Sequence, residues 1–116
     1  MTRIIVGIQS QKNIRERVLA IAKGEYKPKK SEPKIWFTSM KSLAEVLSDK
    51  NRELLHIIAD THPKSLKDLA ESTGRKSSNL SRTLKTLESY GFVELQRNKK
   101  NIIPIAKATE FQIIAA

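Results

Sequence analysis

The sequence predicts a mainly α fold with a small β component, the α+β class, and three observations predict it. Apolar residues recur at helical spacing through consecutive stretches between residues 47 and 87. The period then changes to two on either side of a short polar turn, as in a hairpin. Short alternating segments also stand near both ends of the chain. Three helices followed by a β-hairpin, with strand-like pieces before and after, is the expected order.

The elements follow in turn. "TRIIVGIQ" places Ile4, Val6 and Ile8 on one side of a strand. Ser10 is a candidate cap for a helix whose Ile14, Val18, Leu19 and Ala22 share a face, and Gly24 ends it. "GEYKPKKSEPK" has two prolines, four lysines and no aliphatic residue, so it reads as an exposed linker. "KIWFTS" resumes as a strand, and Ser39 caps a short helix with Leu43, Val46 and Leu47 inward. Ser48 or Asp49 opens the next helix, with Leu47, Leu54, Leu55 and Ile58 in one stripe. His62-Pro63 stops it. Ser65 and Asp68 form a capping-box-like pair for a helix bearing Leu66, Leu69 and Ala70. Gly74 breaks that helix, and Leu80, Leu84 and Leu87 stripe a longer one that Gly91 closes in a left-handed conformation. "FVELQR" and "IIPIA" flank the turn "NKKN", and "TEFQII" alternates once more.

At 116 residues the chain is expected to be one domain with a small appendage. The expected division is an N-terminal strand–helix extension with its Lys/Pro linker over 1–33, and the helix-and-hairpin domain over 34–116. A hydrophobic fraction of 39% beside 29% charged residues describes an ordinary soluble composition. No apolar run approaches a spanning length and no secretory leader is evident, so no membrane partner is expected. The absence of cysteine excludes disulfides and thiolate metal sites and fits a reducing cytoplasm. The net charge of +10 points to polyanions, nucleic acid first.

A helix-turn-helix needs a small residue where its helices cross, a glycine of positive φ in the turn, and an aliphatic residue locking the second helix. Ala70, Gly74 and Leu80 stand at those offsets. With Leu80, Leu84 and Leu87 turned inward, Ser77, Ser78, Asn79, Ser81, Arg82 and Lys85 fall on the sides and outer face. Short hydroxyl and amide side chains allow close approach to a groove floor. Asn pairs with adenine, Arg with guanine, and Ser with bases or phosphates. The helix start is itself a phosphate seat, with Arg75 and Lys76 beside it. The bland alternative is a solvated surface helix with Ser77 as its cap. The turn adds Arg97, Lys99 and Lys100, placed as a wing would place them beside the minor groove. Residues 74–101 carry seven basic side chains against Glu88 and Glu94, an excess equal to half the net charge.

The stretch "LAEVLSDKNRELLHIIADTHPKSLKDLAESTGRKSSNLSRTLKTLESYGFVEL" resembles the MarR-type winged-helix transcriptional regulators. More narrowly, it is similar to a group of small prokaryotic DNA-binding proteins over about residues 36–113. Phe37, Ser39, Met40, Leu47, Arg52, Leu54, Leu55, Pro63, Ser65, Leu66, Asp68, Leu69 and Ala70 carry the lead-in, and Leu84, Leu87, Gly91 and Val93 the remainder. The group often reads "R-D-x-K-N-V" where this chain has "RKSSNL", a change that removes an acid and adds hydroxyls. The resemblance implies a winged helix-turn-helix and double-stranded DNA as partner. It also implies, through relatives lying beside toxin genes, an antitoxin that binds a toxin protein.

Other chemistry finds little support. His56 and His62 lack a carboxylate at ligand spacing, so no metal is expected. Ser77, Ser78 and Ser81 have no neighbouring histidine and no nucleophile elbow, and the four glycines form no phosphate loop. No catalytic residue and no cofactor is expected, and Trp36 and Phe37 read as a core edge. The expected function is a DNA-binding regulator, a repressor working as a homodimer. The strand-like termini (4–8 and 111–114) and the helix 14–22 are expected to form the protomer contact. The alternatives are an antitoxin and a sequence-indifferent or RNA-binding basic protein.

Overall fold

The computed structural model describes residues 3–115, and its contacts divide the chain into two compact units. One is Val46–Thr109; the other combines Arg3–Glu45 with the segment beginning at Glu110. The sequence expectation set a single boundary at 33/34. Backbone pairing explains the difference, because the strand after that boundary and the last strand both hydrogen-bond to the first.

The discontinuous unit is built on a three-stranded sheet ordered β2–β1–β5, with β1 Arg3–Ile8, β2 Ile35–Phe37 and β5 Glu110–Ala115. Both neighbours run parallel to β1, in registers Val6↔Ile35 to Ile8↔Phe37 and Arg3↔Glu110 to Ile8↔Ala115. Parallel neighbours require a crossover. Helix α1 (Gln11–Ala22) supplies the one between β1 and β2. Val6, at the centre of the sheet, is fully buried. Gly7 sits where nothing larger fits: a Cβ there would lie 2.5 Å from the Trp36 ring and 2.8 Å from Pro33.

Ser10 caps α1 as expected, accepting from the Asn13 amide at 3.2 Å. The face it turns inward is different. Ile14, Arg17 and Ala20 are half-buried, whereas Val18, Leu19 and Ile21 are exposed. Arg17 is the cause. Its guanidinium lies 5.2 Å from the Tyr26 ring centroid and 5.3 Å from that of Trp36, and is paired at 2.8 Å with Glu32. Tyr26 donates its hydroxyl to the same carboxylate. These two partners, Tyr26 foremost, hold the Glu32 carboxyl below its ordinary range. The segment read as an exposed linker is exposed over 24–31, but it ends in this half-buried Glu32 and the buried Pro33. Helix α2 (Met40–Val46) follows with Leu43 buried; its Ser39 cap accepts from the Ser42 amide at 3.0 Å.

The continuous unit holds α3 (Asp49–Thr61), α4 (Leu66–Thr73), α5 (Ser77–Ser89) and an antiparallel hairpin of β3 (Val93–Asn98) and β4 (Asn101–Ala106). The leucine stripes read from the sequence turn inward: Leu54, Leu55, Ile58, Leu69, Leu80, Leu84 and Leu87 are 1% exposed or less and Leu47 5%, while Leu66 is half-buried. Phe92, Val93 and Ala108 complete the core. Ser48 caps α3, accepting from Asn51, and His62 ends it in a left-handed conformation ahead of Pro63. Ser65 caps α4 through the Asp68 amide at 3.1 Å, while Asp68 reaches back to the Lys64 amide. The α5 C-terminus closes with the Phe92 amide on the Leu87 carbonyl and the Gly91 amide on that of Glu88, both near 3 Å. Three helices followed by a hairpin make this unit a winged helix-turn-helix.

Candidate nucleic-acid interface

The turn between α4 and α5 sets the site. Gly74 has φ of 71° and donates its amide to the Ala70 carbonyl at 2.9 Å, ending α4 with a left-handed residue. A Cβ on Gly74 would meet nothing within 4 Å, so the conformation alone selects glycine here. Ala70 is half-buried on α4 and Leu80 is fully buried on α5, and the two helices pack together.

Lys76, not Ser77, is the N-cap of α5, and no side chain caps its first turn. The alternative role for Ser77 as a cap is therefore absent, and the first-turn amides keep their outward donors. Given about 100° per residue, burial of Leu80, Leu84 and Leu87 points Ser78, Arg82 and Lys85 away from the core. All three are exposed.

The two flanks of α5 differ. On one, half-buried Arg75 donates to the Asn79 side-chain oxygen at 2.9 Å and approaches the Thr83 hydroxyl at 3.5 Å. Asn79 is exposed, and this bond occupies its side-chain oxygen. Arg75 and Asn79 line a cleft of about 410 Å³ with Lys50 and Glu53 of α3. On the other flank, Ser81 and Lys85 share a narrow groove of about 90 Å³ with Arg97 of β3. The hairpin thus meets the helix on its Ser81 side. Ser77 and Ser78 are exposed in the first turn, and Lys99 and Lys100 form the two-residue tip between the paired Asn98 and Asn101.

Lys99 has φ of 54°, in the region normally occupied by glycine or asparagine in tight hairpins. A lysine there keeps a cation at the tip at a conformational cost.

Two residues escaped the sequence reading. Lys50 joins the Arg75–Asn79 cleft, and no spacing in the chain signals that the start of α3 lies beside α5. Lys107 pairs with Glu94 at 3.1 Å, and with Gln96 it holds that carboxyl below its usual range. One of the two acids counted against the basic cluster is thereby offset. Among the described residues no group of His, Asp or Glu is placed to hold a metal ion, and no helix is long and apolar enough to cross a membrane.

A family model described as HVO_A0114 matches residues 46–113. No curated protein matches the chain. Among solved structures, the chain is similar to one described as the predicted DNA-binding transcriptional regulator from E. coli. The identity is 19%, the match covers 80% of this chain and 83% of that one, and the TM-score is 0.49.

Proposed function

The chain belongs to the HVO_A0114 family, and we propose that it is a sequence-specific double-stranded DNA-binding transcriptional regulator of MarR-like design. The observation that carries this reading is the outward stripe of Ser78, Arg82 and Lys85 on a helix whose first turn has no side-chain cap, flanked by a basic hairpin. In this reading α5 enters the major groove. Arg82 and the Asn79 amide address base edges, while the first-turn amides, Ser77, Ser78 and Lys76 engage phosphates. Arg75 holds Asn79 in position, Ser81 and Lys85 contact the strand nearer the hairpin, and Arg97, Lys99 and Lys100 straddle the adjoining minor groove. The protein acts as a homodimeric repressor on two half-sites about one helical turn, or roughly 34 Å, apart.

Selection of bound fragments from a random duplex library tests this directly. The expected outcome is a two-fold-related motif whose footprint is lost in Arg82→Ala. Equal retention of every duplex, or equal displacement by RNA, would refute it in favour of a sequence-indifferent binder.

A second reading is an antitoxin that also represses its own operon. The exposed Val18, Leu19 and Ile21 on α1 favour a protein partner of that kind. Toxicity of an adjacent small reading frame, relieved by this chain and not by a Leu19→Glu variant, would support it.

A further inference from the structure

The two edges of the three-stranded sheet are built differently. The β2 edge is three residues long and follows buried Pro33, which has no N–H to offer. Short strands and prolines are the usual means of keeping an edge from pairing with another chain. The β5 edge uses none of them. It runs for six residues, Glu110–Ala115, without proline, glycine or lysine, and its single charge is at its start. β1 occupies one side of it, and among the described residues no strand pairs on the other. Ile113 and Ile114 are 47% and 40% exposed on this strand.

We infer that β5 pairs with β5 of a second copy in antiparallel sense about a two-fold axis at Ile113, producing a continuous sheet β2–β1–β5–β5′–β1′–β2′. The inference rests on the two-copy part of the function proposed above and not on DNA binding.

Charge selects both the occupant and the direction. A strand carrying no cation has nothing to draw an acidic peptide, although the chain as a whole is +10. Parallel self-pairing would set Glu110 beside Glu110 at about 5 Å. The antiparallel arrangement moves the two carboxylates about 20 Å apart, six residues at roughly 3.3 Å each. An axis perpendicular to the sheet preserves its faces, so partners across the seam must have the same parity. Ile113 then lies beside its own copy, on the face that the register shares with Val6 and Ile35. Gln112 lies beside Ile114 of the second copy on the other face. The apolar side chains left exposed on the strand are those that the seam covers, and the finished sheet has only its two short, proline-led edges.

The chain contains no cysteine, so single-cysteine variants of the full-length protein report the seam without interference. Oxidised Ile113→Cys is expected to form a covalent species of twice the 13.1 kDa of one chain, and Val18→Cys on α1 is not. Ile113→Arg and, independently, Ile114→Arg should sediment as monomers with unchanged far-ultraviolet dichroism, while the unmodified chain sediments as a dimer. A chain that remains monomeric up to millimolar concentration overturns the inference. So does cross-linking through Val18→Cys in place of Ile113→Cys. A dimer linked through Ile113→Cys that binds no DNA would sustain this inference and refute the proposed function. Sequence-specific binding by a monomer would do the reverse.

Discussion

Replacing Lys99 with glycine separates what the hairpin tip does for the fold from what it does for DNA. In the folded chain Lys99 has φ of 54°. A left-handed conformation costs a residue with a Cβ roughly 1–2 kcal/mol. Glycine removes that cost and returns about 0.4–1 kcal/mol of it through the greater freedom of the unfolded chain. The net expectation is a gain of about 0.5–1 kcal/mol, or a rise of roughly 2–8 °C in the melting temperature of a unit this size. The same substitution removes one cation from the tip. Each phosphate contact contributes about 0.9 to the log–log salt slope of binding, so over a fourfold rise in salt one contact accounts for about 3.5-fold in affinity. Lys99→Gly should therefore melt higher and bind with a slope shallower by about 0.9. Lys99→Ala should show the shallower slope without the gain in stability. Thermal melts followed by circular dichroism and titration by fluorescence anisotropy across a salt series measure both. An unchanged slope refutes the wing–phosphate contact, and a lowered melting temperature refutes the reading of the tip.

Arg82→Ala should relax preference at one base position by about 1–3 kcal/mol, leaving other positions intact in a competition assay with single-base variants of the selected site. Gly74→Ala and Gly7→Ala test two different reasons for glycine. The first meets only open space and should cost roughly 1–2 kcal/mol through its φ of 71°. The second drives a methyl group into the Trp36 ring and Pro33 and should cost about 1–3 kcal/mol, both read by denaturant unfolding. The Glu32 carboxyl has a folded pKa below its unfolded one, so its contribution is present above the ordinary carboxylate range and is lost as pH falls through the depressed value. The melting difference between the unmodified chain and Glu32→Gln should accordingly shrink on acidification; a difference independent of pH would refute the pairing with Tyr26 and Arg17.

The winged unit was open to reading because its determinants are local. Leucines at a spacing of three and four define α3, α4 and α5, each bounded by a capping serine or a glycine within the same few residues. Only the α5 cap differed, because Lys76 takes the N-cap position by backbone conformation and no side chain marks it. The sheet unit was far less readable. The periodicity of α1 put Val18 and Leu19 inside, but a guanidinium held by two rings and a carboxylate turned Arg17 inward instead. None of those partners is a neighbour in sequence. The strand character of residues 111–114 was evident from alternation, whereas the identity of its partner was not, since register with residues 3–8 depends on a contact across the whole chain. Within the site, the serines, Asn79 and Arg82 follow from helical geometry, but the cleft containing Lys50 arises from tertiary packing alone.

The pairing of Arg3 with Glu110 also sets an order of events during synthesis. The first strand leaves the ribosome long before its partner β5 exists, and it must wait while the intervening helices and hairpin emerge. Those elements form a compact unit of their own and can fold while still attached to the ribosome, N-terminal parts first. Once they are compact, the two strands no longer lie at the ends of a long floppy segment, and the entropy of bringing them together falls. Sheet closure thus becomes the last step: a chain truncated before Glu110 would retain the folded helix-and-hairpin unit but leave β1 paired to β2 alone, with the edge that β5 covers exposed.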